Sequence, residues 1–398
     1  MNNKPKVVVT CIPRWSYGQW FILGLQMLAK QGQIDLQFRA GFLYRLSLFP
    51  SRPVAAVLLR VARLFMSTPK DGYLIEGYIA VNGVTKYFCI DTADSPYTFD
   101  DDALRKVCCY FKMQCPVHIE KEGFALNDSV RIPFSTYCHV DASLDNCVCN
   151  VGERKKTEAL WSNLDKVKPL MVGPRYLSPN CNAYSVMYDA YKKNFGNTAI
   201  VTSKTLMCYF GNSLGPVPKG DAEHCDYDNE SNIMKYFGTS VNHPNEKRGK
   251  AADYIAACGD AYDSRVITQG NAETGLVNHP ELVVPLKDFC NHIANFQYNL
   301  NISGYRMSIP NRFIESFMVG TAILTDKLAL KWYKPFDKEV VETVPMGYMP
   351  MEQVNWDQFK NDIERLPIVN KDIVLKAFKD KWAPEKVAQY IVKTVIDT

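Results

Sequence analysis

The sequence predicts an α/β protein built as two lobes with a cleft between them. Three observations predict this. At 398 residues the chain exceeds what one ordinary core accommodates and suits two domains of average size. Short β-branched runs alternate with stretches of about ten residues whose apolar positions recur at helical spacing. The segment 166–182, which contains KPLMVGPRYLSPN, gathers turn residues near the midpoint, where a hinge is expected. The lobes are therefore drawn at 1–172 and 173–383, with 384–398 as a helix packing back on one of them.

In the first lobe, Lys6–Ile12 reads as a strand, Arg14–Gln19 as its exit loop and Gln19–Lys30 as an amphipathic helix. Ile34–Phe38 follows as a strand. Gly72–Val81 and Thr85–Ile90 form a strand pair around the Asn82-Gly83 turn. Ala103–Val107 reads as a helix and Val117–Ile119 as a further strand. In the second lobe the strands are Ala199–Tyr209, Tyr236–Val241, Ser264–Gln269, Tyr298–Ile302 and Thr321–Thr325. Helices Lys250–Cys258, Leu286–Phe296 and Asn311–Val319 fall between them, and His243–Gly249 is read as a loop. Such alternation implies a mainly parallel sheet covered on both faces, with ligands bound outside the carboxyl ends of its strands. Trp356–Leu366, Lys371–Trp382 and Pro384–Ile396 close the chain with helical periodicity.

Composition narrows the function. With 47% hydrophobic and 22% charged residues the chain reads as a soluble globular protein. A net charge of +4, spread along the sequence, argues against nucleic acid as a partner. The amino terminus MNNKPKVVVTCIP lacks the apolar core of a signal peptide, and no window reaches the ~18–20 apolar residues of a membrane span, so a cytoplasmic protein is expected. Its 13 cysteines are odd in number, include the adjacent Cys108 and Cys109, and sit mostly in apolar surroundings. They read as core residues in a reducing compartment.

The chemistry concentrates in NISGYRMSIPNRFIESFMVGTAILTDK, residues 301–327. A strand ends at Ser303-Gly304, a loop follows, and Asn311 opens the next helix, which sets Arg306, Ser308, Arg312 and Glu315 at the sheet's ligand edge. Arginines grip phosphate in bidentate fashion, so this edge suits a diphosphate, and Glu315 would accept hydrogen bonds from the vicinal hydroxyls of a ribose. A solvated i,i+3 pair between Arg312 and Glu315 is the competing reading. Lys247, Arg248 and Lys250 crowd a second helix entrance in NHPNEKRGKAADYIAACG, where cations at a positive dipole end call for a reason. There is no GxxxxGK[ST] and no GxGxxG after a strand, which disfavours ATP hydrolysis and a dinucleotide fold.

The segment Tyr298–Val341, with SIPNRFIESFMVGTAILTDKLALKWYKPF, resembles the donor-binding half of two-lobed, GT-B-type glycosyltransferases. The likeness is to bacterial enzymes of surface-polysaccharide assembly, with a distant similarity to exostosins. It covers about 45 residues well and the first lobe only in architecture. The resemblance implies two Rossmann-like lobes with an inter-lobe cleft, a nucleotide-diphosphate sugar as donor substrate, and no required cofactor. It puts Arg312 near the pyrophosphate and Glu315 on the ribose. A large retaining group carries two glutamates eight positions apart, whereas Met307 and Ile323 stand eight positions before and after Glu315 here. An inverting displacement is favoured.

An inverting transfer needs a base in the acceptor lobe. In FCIDTADSPYTFDDD, Asp91 and Asp94 follow an apolar strand at its carboxyl end, with Asp94 as base, Asp91 as its neighbour and Glu76 in reserve; a turn-forming role for either aspartate stays open. Asp100–Asp102 cap and charge the next helix. The aromatics of the Arg14–Gln19 loop would stack on sugar rings or pack inward. Residues 42–65 alternate apolar residues with Arg45, Arg52, Arg60 and Arg63 and contain no acid, which suits peripheral contact with a membrane carrying a lipid-linked acceptor, or equally an internal helix with arginines reaching solvent. Cys138, His139, Cys147 and Cys149 match no established zinc spacing, and Asp226-Tyr-Asp228 is a weak metal signal, so no metal is assigned. The expected activity is transfer of a sugar to a hydroxyl of a saccharide or lipid-linked acceptor in cell-surface polysaccharide biosynthesis. An epimerase-like sugar-nucleotide enzyme and a non-catalytic carbohydrate-binding protein are the alternatives.

Overall fold

Pairing of short buried strands arranges the described residues into two main sheets, of six and five strands, flanked by helices, with four further two-stranded pairings, a mixed α/β architecture. The computed structural model describes residues 4–12, 18–39, 57, 73–125, 131–136, 156–174, 206–208, 213–214, 244–259, 262–264, 267–268, 286–303, 307–343 and 354–398. The strand expected at Tyr236–Val241 lies outside them.

The first sheet holds β1 (Lys6–Cys11), β2 (Asp35–Phe38), β3 (Leu74–Val81), β4 (Val84–Asp91), β5 (Cys109–Lys112) and, beyond the short β6 (Cys115–Pro116), β7 (Val167–Pro169). Their order is β7-β5-β4-β3-β1-β2. All run parallel except β3, which is antiparallel to β1 and β4. Val7, Val8 and Val9 are buried in succession, so β1 is covered on both faces. The β3–β4 hairpin turns at Asn82 and Gly83, both at positive φ (51° and 81°), as an Asn-Gly two-residue turn requires. α1 (Gln19–Lys30) follows β1, and α2 (Asp101–Lys106) starts at Asp100, whose carboxylate accepts from the Ala103 N–H at 2.8 Å.

Two expectations are corrected here. Val117–Ile119 is not a strand; the strand is β5, whose Cys109, Tyr110, Phe111 and Lys112 are all buried and therefore show no alternation to read. The turn-rich segment after Lys166 begins with β7, an edge strand, where Pro169 is tolerated.

The second sheet is parallel throughout and contains β8 (Leu206–Cys208), β9 (Tyr262–Ser264), β10 (Tyr298–Asn301), β11 (Ala322–Thr325) and, after β12 (Leu330–Lys331), β13 (Val341–Thr343). The order β9-β8-β10-β11-β13 puts the second strand on one side of the first and the third on the other. The helices are α3 (Pro244–Ala257), α4 (Leu286–Ile293), α5 (Arg312–Phe317), α6 (Trp356–Glu364), α7 (Lys371–Ala377) and α8 (Pro384–Asp397). Tyr254 of α3 stacks on Trp356 of α6 with centroids 5.5 Å apart, so these two share a face. Asn299 of β10 donates to Ser316 of α5 at 3.0 Å, while Tyr298 points the other way to the Pro367 carbonyl beyond α6. α5 therefore lies on the opposite face, beside α4.

Here too the chain departs from expectation. His243–Gly249 is not a loop up to its end: α3 begins at Pro244, with proline at the first helical position, where its missing N–H costs nothing. Of the strand expected at Ser264–Gln269, Ser264 ends β9, Ile267–Thr268 is a short strand paired with Ser213–Leu214, and 265, 266 and 269 lie outside the described residues; Val341–Thr343 is a strand that the sequence pattern left unread.

The two sheets are joined in three ways. β6 pairs antiparallel with β12. Phe313 and Phe317 of α5 pack with Trp332, Phe336 and Trp382, and Phe317 stacks on Trp382 at 5.0 Å. The Trp382 carbonyl then accepts from Trp20 Nε1 of α1 at 3.1 Å, and α8 runs back across α1 and the β3–β4 hairpin. Gly24 is what lets α1 and α8 approach, since a Cβ there would run into the Pro384 carbonyl oxygen. Gly24→Ala is expected to lower stability by about 1–3 kcal/mol, the usual overpacking cost, despite the better helix propensity of alanine; urea denaturation measures it.

Candidate functional site

The carboxyl edge of the second sheet carries an unusual set of buried polar groups. Between β8 and β10 the chain's path diverges, and ligands of parallel sheets bind at such a divergence. Arg248, in the first half of α3, donates from Nε and Nη2 to the Ile302 carbonyl at 3.2 and 3.0 Å, just past the end of β10. Asp326, just past the end of the neighbouring β11, accepts from the Ser303 N–H at 3.2 and 3.1 Å, from the Ser303 hydroxyl at 2.8 Å and from the Thr325 hydroxyl at 3.2 Å. Thr325 in turn accepts from Asn301 Nδ2 at 2.9 Å. Asn301, Ser303, Thr325 and Asp326 are all buried. Burial pushes the Asp326 carboxyl up to about 6, against the downward pull of Ser303, Thr325 and Arg248.

Of the basic residues on α3, Lys247 is buried, Arg248 half-buried and Lys250 exposed. Arg312 and Glu315 are both buried on α5, with Glu315 at 0% exposure and accepting from Asn311 Nδ2 at 2.9 Å. The solvated surface pair is therefore ruled out for these two. With six residues, α5 is too short to act as an anion-binding helix in its own right. Arg306 lies outside the described residues. Past it, Met307 is buried at a φ of 54°, a left-handed conformation that costs a non-glycine residue about 1–2 kcal/mol and aims the following residues at the other sheet.

Ser308 and Ile309 make that contact. Ser308 Oγ donates to the Asp94 carbonyl at 3.3 Å. Gln114 clasps Ile309 with both ends of its amide: Nε2 donates to the Ile309 carbonyl and Oε1 accepts from its N–H, each at 3.1 Å. The same Nε2 donates to Asp94 Oδ1 at 3.1 Å. Asp94 itself is exposed. The loop beyond β4 in one sheet thus touches the loop beyond β10 in the other, and Asp94 and Ser308 are brought together across the join.

Asp91 has a different setting. It ends β4 directly opposite Lys112 at the end of β5, and both side chains are fully buried. Its Oδ2 accepts from Lys112 Nζ and from the Tyr110 hydroxyl, each at 2.6 Å, and its Oδ1 accepts from the Ala93 N–H at 3.0 Å. Lys112 also donates to the Thr98 carbonyl at 2.7 Å and lies 4.9 Å from the centroid of the Phe99 ring. This is an ion pair inside the core, whose lone pairs are engaged by the fold.

No protein-family model matches the chain, and no curated protein matches it. The site therefore stands on its own geometry. Among the described residues no group of three or more His, Cys, Asp or Glu is placed to hold a metal ion. Cys138, His139, Cys147, Cys149, Asp226, Asp228 and Arg14–Tyr17 lie outside those residues, as does all of 42–65 except Val57. Asp326, Ser303 and Gln114 were not singled out from the sequence. The signal for Asp326 was a strand of four apolar or hydroxyl residues ending in an acid, the pattern that had drawn attention to Asp91.

Two outcomes follow from these environments. Asp91→Ala leaves Lys112 buried without its counter-charge and is expected to cost about 3–5 kcal/mol, much of which Asp91→Ala combined with Lys112→Met should restore; chemical denaturation of the three proteins decides it. Asp326 has a folded-state pKa above that of the unfolded chain, so its contribution to stability is fully present in acid, below the ordinary carboxylate range, and is lost as pH rises through about 6. Asp326→Asn should therefore flatten the stability profile between roughly pH 4 and pH 7 and be the more stable protein at pH 7 by roughly 2–3 kcal/mol.

Proposed function

We propose that the protein is a glycosyltransferase that moves a sugar from a nucleotide-diphosphate donor to a hydroxyl of a saccharide or lipid-linked acceptor, with inversion, in cell-surface polysaccharide biosynthesis. The observation that carries the reading is the join itself: an exposed carboxylate beyond one sheet, Asp94, lies against the loop beyond the other, at Ser308. A transfer reaction between two bound substrates needs this facing of two ligand edges, because holding both reactants in place removes much of the entropic barrier. The finer architecture proposed is two Rossmann-like lobes, the second presenting the donor and the first the acceptor.

In this reading Arg248 and Lys247 meet the charge of the diphosphate, aided by Arg306 and Arg312 from the loop and helix after β10. Asp94 takes the proton from the acceptor hydroxyl as its oxygen attacks the anomeric carbon. The bond from that carbon to the diphosphate breaks on the opposite side, and the departing charge is stabilised by the cations. Glu315 reaches a ribose only if donor binding uncovers it, since its side chain is buried beside Asn311. Among the described residues no helix is long and apolar enough to cross a membrane.

The test is a thermal-shift screen against UDP, GDP, CMP and dTDP, because a ligand bound only by the native state raises its melting temperature. One nucleotide should give a selective rise. Arg248→Ala should weaken that nucleotide by about 10–100-fold, the loss of a charged hydrogen-bonding partner. Asp94→Asn should keep the rise yet slow sugar transfer by about 10²–10⁴-fold. No rise with any nucleotide, or full transfer activity in Asp94→Asn, would sink the proposal.

A further inference from the structure

The peptide group joining Ile302 to Ser303 is gripped from both sides by opposite charges. Its carbonyl accepts two hydrogen bonds from the Arg248 guanidinium, at 3.2 and 3.0 Å. Its N–H donates to the two oxygens of the Asp326 carboxylate, at 3.2 and 3.1 Å. The C=O and N–H of a trans peptide point in opposite directions, so guanidinium, peptide dipole and carboxylate lie in series and each polarises the next. Asp326 and Arg248 thus form an ion pair through a backbone amide, at the point where the path of the second sheet diverges.

We infer that Asp326 is a positioning residue for Arg248, fixing through the 302–303 peptide the carbonyl that orients the guanidinium toward an anionic ligand at the carboxyl edge of the second sheet. A neutral side chain at 326 would satisfy Ser303 without the cost of enclosing a carboxylate, which at 2% exposure is large. The charge has a use only if something beyond Ser303 responds to it, and the group that does is Arg248. Two of the guanidinium's N–H directions are taken by Ile302, and its planar fork leaves others for a second acceptor, as recognition of a phosphate requires. The groups facing Asp326 are Arg248 from α3, Ser303 from the end of β10 and Thr325 from β11; among the described residues Arg248 is the charged one acting on it. Because burial pushes the Asp326 carboxyl up to about 6, the carboxylate that holds Ser303 is mostly ionised at neutral pH and becomes protonated in mild acid.

The identity of the ligand rests on the diphosphate reading proposed above, whereas the orientation of Arg248 does not, and two measurements keep them apart. The first needs no ligand. In nitrogen-15 spectra at pH 7, the Arg248 Nε–H resonance, identified by its disappearance in Arg248→Lys, should exchange with water about tenfold faster in Asp326→Asn than in the wild-type protein, and at pH 5, where exchange is intrinsically slower, the two proteins should exchange alike. Equal exchange rates of that resonance in the two proteins at pH 7 overturn the inference. The second is calorimetric titration with UDP-glucose and GDP-mannose, whose pyrophosphate is a diester that does not ionise near pH 6. The wild-type protein should bind one of them about tenfold more weakly at pH 5 than at pH 7, the loss of one charge-assisted contact, and Asp326→Asn should bind it weakly and without pH dependence. Equal affinity and equal pH dependence in the two proteins refute the role, because a merely structural aspartate would shift the melting temperature and leave this profile alone. If neither sugar nucleotide binds the wild-type protein, the diphosphate reading falls, and the resonance alone decides whether Asp326 positions Arg248.

Discussion

Trp382 is the constraint on which the relation of the two sheets depends. Its ring stacks on Phe317 of α5 and meets Trp332 and Phe336, all attached to the second sheet, while its carbonyl holds Trp20 of α1 in the first. Large aromatic rings bury much apolar area with few torsions to freeze, so a cluster of them makes a stiff joint. That stiffness reaches the site directly. α5 carries Arg312 and Glu315 on the same helix as Phe313 and Phe317, and the loop leading into it carries Ser308 and Ile309, which meet Asp94 and Gln114.

Each sheet places an aspartate where a parallel strand ends, and each resolves the burial of that charge differently. Asp91 meets Lys112 directly in the neighbouring strand, so charge cancels charge within one hydrogen bond. Asp326 meets its cation only across a peptide, and burial pushes its carboxyl up against the downward pull of Ser303, Thr325 and Arg248. The direct pair is enclosed by Tyr110, Phe99 and Thr98 and belongs to the core of its sheet. The indirect pair leaves Arg248 half-buried. A chemical task is better served by the second arrangement, because a group that is not fully satisfied by its own fold still has something to offer a ligand.

Much of the fold was legible because local signals and packing agreed. The Asn82-Gly83 turn, the Asp100 cap and the periodicity of Gln19–Lys30 each specify one structure by themselves. What the pattern hid were strands enclosed on both faces or cut to three or four residues, as with Cys109–Lys112 and Val341–Thr343, for which neither alternation nor length gives a signal. The site was legible in part for a related reason. The loop after β10 was found from its arginines and from its place after a strand, but burial is a property of the assembled sheet, and nothing in the spacing of Arg312 and Glu315 distinguishes an enclosed pair from a solvated one. Gln114 was invisible because its partner, Ile309, is 195 positions away.

The return of α8 to α1 has a consequence for how the molecule is made. Residues 384–397 supply Val387, Ala388, Ile391 and Val395 to the apolar interior shared with the first sheet, and Tyr390 donates to the Pro169 carbonyl beside its edge strand. While the chain is being synthesised, the first sheet therefore waits with one flank uncovered until the last turn of this helix has emerged. Domains that close locally fold as they appear, whereas contacts this distant in sequence fold late and expose apolar surface in the meantime. The first sheet therefore cannot complete its apolar interior until after the strands of the second have been made.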